Sequence, residues 1–195
     1  MGEIVVVQNV TLDGVMQAPG GAQEDTRGGF PYGGWAVPYA DAVSAATMGK
    51  GMTADGALLL GRRTYLDFHA FWAGQQDGNP YTEVLNRRTK YVASRTLAEP
   101  LPWQNSVLLD GAATVAVEKL KLQVDGDLVV LGSGVLVRSL AAAGLVDRYV
   151  LSIHPLTLGA GTKLFGAAYR EMRLTDTVTT TTGVIIASYR VAVTS

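Results

Sequence analysis

The chain has 195 residues, no cysteine, 48% hydrophobic and 17% charged residues, and a formal net charge of −1. The missing cysteine excludes disulfides, thiolate catalysis and cysteine-held zinc, and the two histidines, His69 and His154, lie too far apart in sequence to suggest a histidine-built metal site. The near-neutral balance gives no general attraction for polyanions, so nucleic acid is not an expected partner, and residues 1–195 suit a single domain with one sizeable core.

Glu3 to Val10 is apolar and β-branched, as in a buried strand, and Thr11-Leu-Asp-Gly14 follows as a turn. The acid at Glu3 and the shortness of this run make it a strand rather than a leader, and nothing approaches a membrane span, so a cytoplasmic protein is expected. Val15 to Pro38 is a Gly- and Pro-rich loop whose aromatics Phe30, Tyr32 and Trp35 suggest packing over a cavity. Tyr39 to about Met52 has helical spacing, with Ala42, Ala45, Ala46 and Met52 as the candidate buried face. Asp55 precedes the short strand Ala57–Leu60 and is read as structural. Gly61-Arg-Arg-Thr64 opens a helical pattern through Tyr65 and Phe68; Gly74–Pro80 is a loop and Tyr81–Asn86 a helical turn.

Strands are expected at Lys90–Ala93 and Ser106–Leu109, then a helix at Ala112–Leu122 with Val115, Leu120 and Leu122 partly inward. Leu128–Leu131 runs straight into Gly132-Ser-Gly134 and a helix with Leu136, Leu140 and Ala143 on one face, closed by Gly144. Val146–Ile153 is the next strand. Glu171–Thr182 and Gly183–Val193 form a hairpin about Gly183, while Trp72, Trp103, His69 and His154 read as core or loop residues, His154 with a second reading as a pocket-lining residue because it ends a strand before Pro155. Strands alternating with helices predict an α/β fold: a mixed, mainly parallel sheet of about eight strands with a C-terminal antiparallel hairpin.

Ligands of open α/β sheets sit beyond the carboxyl ends of the strands, and three such ends here carry suggestive residues. At Gly132-Ser133-Gly134 the glycines let backbone approach a pyrophosphate, and the amides of the helix opening at Val135 and Leu136 point at the anion. Arg62 and Arg63 after Gly61 can pair with phosphate oxygens while Thr64 offers a hydroxyl, and Ser94 with Arg95 suits a ribose 2′-phosphate. Together they suggest an NADPH site. Taken singly, the same residues read as a tight turn, a solvated helix start and a surface turn. The dinucleotide fingerprint of a Rossmann domain is absent, because Val137 occupies the place of its third glycine.

These motifs, in order over nearly the whole chain, resemble the dihydrofolate reductase superfamily, including the reductase domain of the bacterial riboflavin-biosynthesis deaminase/reductase. Thr11-Leu-Asp-Gly14 is similar to that domain's Ser-Leu-Asp-Gly, and Gly61-Arg-Arg-Thr64 to the Gly-Arg-x-Thr of dihydrofolate reductase. Ala143-Gly-Leu-Val-Asp147 and Pro155-Leu-Thr-Leu-Gly-Ala-Gly161 resemble further segments of the riboflavin enzyme. The resemblance implies a three-layer fold, NADPH as hydride donor, a small heterocyclic substrate such as 5-amino-6-(5-phosphoribosylamino)uracil or a pteridine, and a homodimer. It implies a cofactor site formed by Gly61, Arg62, Arg63, Thr64, Ser94, Arg95 and the turn Gly132 to Leu136. Val10, Trp35 and Leu131 are the substrate-facing candidates.

Asp41 and Asp13 are the carboxylates available for proton transfer; Asp41 serves equally as a helix cap, and Asp13 as the shaper of an Asp-Gly turn. Two features depart from the riboflavin enzyme. Leu131 stands where that enzyme has an acid, and the cysteine-free chain has neither the ligands nor the length for its zinc deaminase domain. The alternatives are a reductase of an unrelated carbonyl or imine compound and a non-catalytic nucleotide-binding protein.

Overall fold

A computed structural model describes residues 2–53, 56–166 and 169–192. Asp55, Val193 and the Met52 side chain lie outside the described residues. The strands are β1 (Ile4–Thr11), β2 (Gly56–Gly61), β3 (Lys90–Ala93), β4 (Ser106–Leu108), β5 (Asp127–Leu131), β6 (Arg148–His154), β7 (Met172–Thr179) and β8 (Ile185–Val191). The helices are α1 (Ala42–Thr53), α2 (Arg62–Trp72), α3 (Pro80–Arg87), α4 (Ala113–Gln123) and α5 (Gly134–Ala142). The eight strands form one mixed sheet in the order β4-β3-β2-β5-β1-β6-β8-β7. Pairs β2/β3, β2/β5 and β3/β4 are parallel, whereas β6/β8 and β7/β8 are antiparallel. The chain divides into two compact units: Met1–Val5 with Gly49–Val146, and Val6–Met48 with Asp147–Ser195.

In the first unit, β2 and β5 are unbroken apolar runs because both faces are covered: Leu58, Leu59 and Leu60 are fully buried, as are Leu128 and Val130. Helix α2 continues four residues past Phe68, to Trp72. Helix α3 starts where the Asn79 carboxamide accepts from the Tyr81 amide (3.0 Å). The sequence expectation for α4 needs correction. Val117 and Leu120 are its buried residues, while Val115 and Leu122 are 51% and 71% exposed. Apolar residues occur all round this helix, so the Val115/Leu122 line competes with the Val117/Leu120 line in the sequence, and only packing selects between them. In α5 the buried residues are Leu136, Val137 and Leu140, and Ala143 is exposed at the C-cap. The helix ends in a left-handed Gly144 (φ 70°), with Leu145 N donating to Leu140 O (3.0 Å).

Lys90 is fully buried, opening β3. Its ammonium donates to the carbonyls of Arg88 (2.8 Å), Gln104 (3.1 Å) and Asn86 (3.3 Å) and lies 4.5 Å from the Trp103 ring centre. Two of these carbonyls belong to the end of α3, where the helix dipole favours a cation. Burial pushes the Lys90 ammonium down to about 8.

In the second unit, α1 begins later than the spacing predicts. Tyr39 closes a short 3-10 turn (Val37–Tyr39), Ala40 is extended, and Asp41 caps the helix. The predicted buried face is also corrected: Ala42, Ala45 and Ala46 are exposed, and Val43, Ser44, Thr47 and Met48 face partly inward. Val43 and Met48 have more apolar surface to remove from water than a row of alanine methyls. The loop after β1 is held by a buried cluster of Val15, Ala18, Phe30 and Trp35, against which Leu156 and Leu158 pack, while Tyr32 is 47% exposed. The hairpin β7/β8 turns where Gly183 N donates to Thr180 O and Thr180 N to Val184 O. No helix among the described residues is long and apolar enough to cross a membrane.

Candidate functional site

The parallel register sets Gly61 of β2 opposite Ala93 of β3, and Leu59 opposite Val130 of β5. The three suggestive turns therefore leave neighbouring strands at the same edge. Hydrogen bonds join them. Ser133 donates from its amide to Thr64 Oγ1 (3.0 Å) and from its hydroxyl to the same oxygen (2.9 Å), and its Oγ accepts from the Gly61 amide (2.8 Å). On the other side, Arg62 Nη1 donates to Thr96 Oγ1 (2.7 Å), tying the α2 start to the turn after β3. There, Ser94 Oγ accepts from the Leu97 (3.0 Å) and Thr96 (3.2 Å) amides, which fixes the loop that presents Arg95 to solvent.

Gly132 and Ser133 are successive left-handed residues (φ 59° and 58°). For a serine this conformation costs about 1–2 kcal/mol, and the three bonds to Thr64 and Gly61 hold it there. A Cβ on Gly132 would sit 3.2 Å from both Thr64 Cγ2 and Oγ1, so this position accepts only glycine without displacing Thr64. Because the Ser133 hydroxyl is committed to Gly61 and Thr64, it makes no cap to α5; Gly61 likewise gives α2 no side-chain cap. Two neighbouring helices thus open at one sheet edge with their first-turn amides uncapped by a side chain, an arrangement suited to an anion. Arg62, Arg63 and Arg95 are exposed around it. Gly134 and Val135 open α5, whereas Leu136 turns its side chain into the core and contributes only its amide. Leu131 is also buried, 6% exposed.

The other candidates belong to the second unit. Val10 and Trp35 are buried, and the Trp35 indole donates to Gln17 O (2.7 Å). Asp13 Oδ1 accepts from the Thr11 hydroxyl (2.5 Å), and its Oδ2 accepts from the Gly159 amide (2.8 Å). These bonds, the Thr11 hydroxyl foremost, hold the Asp13 carboxyl below its ordinary range. Asp41 Oδ2 accepts from the Thr181 hydroxyl (2.6 Å) and amide (2.7 Å), and Oδ1 accepts from the Ser44 amide (2.7 Å). The Thr181 hydroxyl and the Ser44 amide hold Asp41 far below the carboxylate range. Both acids are therefore ionised acceptors at neutral pH. Asp41 joins α1 to the β7/β8 turn, and Asp13 joins the two loops that follow β1 and β6.

The sequence reads His154 first as a structural histidine and second as a pocket-lining one. It is buried, with Nε2 3.0 Å from Asn9 Oδ1 and the rings of Trp35 and Tyr39 set edge-on at 5.1 and 5.4 Å. Asn9 follows Gln8 on β1 and His154 closes β6 just before Pro155, so the sequence shows polar residues on both strands without showing which of them meet. Their pairing depends on β6 lying beside β1 in the sheet. Among the described residues, no group of three or more His, Asp or Glu side chains is placed to hold a metal ion.

Protein YyaP of Bacillus subtilis (strain 168) is 28% identical over 133 residues, which cover 66% of this chain and 70% of that protein. Among solved structures, a pyrimidine reductase-like protein from Corynebacterium diphtheriae superposes with a TM-score of 0.66 at 14% identity, covering 99% of this chain and 93% of that one. Dihydrofolate reductase from Enterococcus faecalis, described as complexed with NADP(H), superposes with a TM-score of 0.60 at 15% identity, covering 97% and 96%. These two likenesses establish an α/β fold of the dihydrofolate reductase type. The family model for the RibD C-terminal domain matches residues 3–186. With that match over nearly its whole length, and the strand order and turns that accompany it, the chain belongs to the RibD C-terminal domain family.

Proposed function

We propose that this protein is a reductase that uses NADPH to reduce a small heterocycle of the pyrimidine or pteridine kind. The observation that carries the reading is the bonded cluster of turns in the first unit: Ser133 locked onto Thr64 and Gly61 beside two helix starts without side-chain caps. The pyrimidine reductase-like and dihydrofolate reductase neighbours support the substrate class. The Gly132 approach and the amides of Gly134 to Leu136 suit a pyrophosphate, with Arg62 and Arg63 as charge partners. Arg95, on the loop ordered by Ser94, suits the 2′-phosphate that distinguishes NADPH from NADH.

When bound, the cofactor supplies the hydride; the chain's own task is to orient it and exclude water. Asp13 and Asp41 shape the loops in this reading, and the proton is taken from solvent. Leu131, apolar where the riboflavin enzyme has an acid, favours a heterocycle reductase distinct from that enzyme. The commitment of both carboxylates to structural bonds favours, as a second reading, a nucleotide-binding protein without turnover. The protein is further proposed to act as a homodimer in the cytoplasm, the assembly being testable by light scattering.

The test is titration with NADPH and with NADH by tryptophan fluorescence, followed by NADPH oxidation with pterins and aminopyrimidines. The expected result is tighter NADPH binding, lost in Arg95→Ala, and oxidation with at least one heterocycle. Binding without oxidation selects the second reading, and binding of neither nucleotide refutes both.

A further inference from the structure

His154 is 4% exposed, and its Nδ1 is buried with no hydrogen-bond partner among the described residues. Asn9 Oδ1 can only accept, so at 3.0 Å it assigns the ring proton to Nε2 and leaves Nδ1 as a bare acceptor. The ring is held by Trp35 and Tyr39, whose planes are nearly perpendicular to it (89° and 82°). Trp35 is anchored in turn by its indole bond to Gln17 O, and Tyr39 by the Thr182 hydroxyl donating to its carbonyl (2.7 Å). Of these two aromatic walls Tyr39 is the more exposed. A rigidly oriented acceptor with an unused lone pair is an uncommon thing to keep in a core, since buried polar atoms are nearly always paired. Burial also lowers the affinity of the ring for a second proton, which keeps it an acceptor at neutral pH.

We propose that Asn9 and His154 form a specificity-determining pair, in which Nδ1 of His154 accepts a lactam or amino N–H of the substrate ring. The assignment rests on the heterocycle-reductase reading and narrows it: substrates must carry a ring or exocyclic N–H, and simple carbonyl or imine compounds without one are disfavoured. Asn9 is a positioning residue, acting through the tautomer it imposes. Tyr39 is the wall that yields as the ring enters.

The probes are 6-aminouracil and 1,3-dimethyluracil, which has neither a ring nor an exocyclic N–H, titrated with NADPH present, together with long-range nitrogen NMR of the labelled histidines. At neutral pH the His154 Nδ1 resonance is expected in the unprotonated range and should shift when 6-aminouracil is added. His154→Phe should bind 6-aminouracil about tenfold more weakly, the factor for about 1.4 kcal/mol, and His154→Gln, which restores an acceptor, should recover part of it. NADPH affinity should stay at the parent value in both variants, so a lost nucleotide site is distinguished from a misassigned pair. A protonated Nδ1 in the parent, no preference for 6-aminouracil, or equal binding by His154→Phe overturns the proposal.

Discussion

Gly132→Ala is the substitution that interrogates the nucleotide turn most directly, and Gly144→Ala is its natural control. Both glycines are left-handed, with φ of 59° and 70°. An added Cβ at Gly144 meets nothing within 4 Å, whereas at Gly132 it meets Thr64 Cγ2 and Oγ1 at 3.2 Å. The backbone term is shared and costs about 1–2 kcal/mol. At Gly132 the methyl also displaces Thr64, whose Oγ1 accepts both Ser133 bonds. Loosening those adds about 1 kcal/mol each. Urea melts should therefore place Gly132→Ala about 1–2 kcal/mol below Gly144→Ala. In NADPH titrations under conditions where both are folded, Gly144→Ala should match the parent and Gly132→Ala should bind at least tenfold more weakly. Equal stabilities would refute the Thr64 contact, and parent-like NADPH binding by Gly132→Ala would remove the turn from the cofactor site.

Lys90→Met replaces a buried ammonium by an apolar chain of similar length, strands three carbonyls and should cost about 3 kcal/mol in urea; a loss under 0.5 kcal/mol would deny the clamp its role. Because Lys90 titrates at about 8 when folded and near 10.5 when unfolded, the unfolded chain holds the extra proton between these values. Its contribution to stability should accordingly rise with pH across that window in the parent relative to Lys90→Met. For His154, whose folded affinity for protons is depressed by burial, the sign is such that stability falls as pH drops through the unfolded value of about 6.5. His154→Gln should flatten that slope, and an unchanged slope would contradict it. Asp41, depressed in the folded state by Thr181 and Ser44, stabilises fully above about pH 3.9, and this is lost as pH falls below it. Asp41→Asn should lower the melting temperature at neutral pH and weaken the acid dependence, while identical melts would refute the α1 tether.

The central strands β2 and β5 were legible because burial on two faces leaves a continuous apolar run, and they extend their predicted bounds by a residue or two at the ends; β3, with alternating burial, has the predicted bounds. Helix faces were less so. In α4 apolar residues lie all round, and in α1 the alanines gave a periodicity that Val43 and Met48 overruled. The glycine turns were visible as residues, but the lock between Thr64 and Ser133 spans 69 positions and exists only once β2 and β5 are paired. The aspartates show the same limit more sharply. A carboxylate near a helix start reads alike as acid or cap until Thr181, 140 residues away, is seen donating to it.

The first strand is divided between the two compact units, with Ile4 and Val5 in one and Val6 to Thr11 in the other. The second unit joins residues 6–48 to residues from 147 onward, and its Asp13–Gly159 bond closes a span of 146 positions. On the ribosome this half of the molecule cannot mature in the order in which it is made. Its early segment cannot complete its contacts within the unit until β6 and the hairpin emerge, while much of the first unit is already complete. Such a topology folds slowly, and the apolar β1 segment is the stretch most in need of chaperone cover during synthesis.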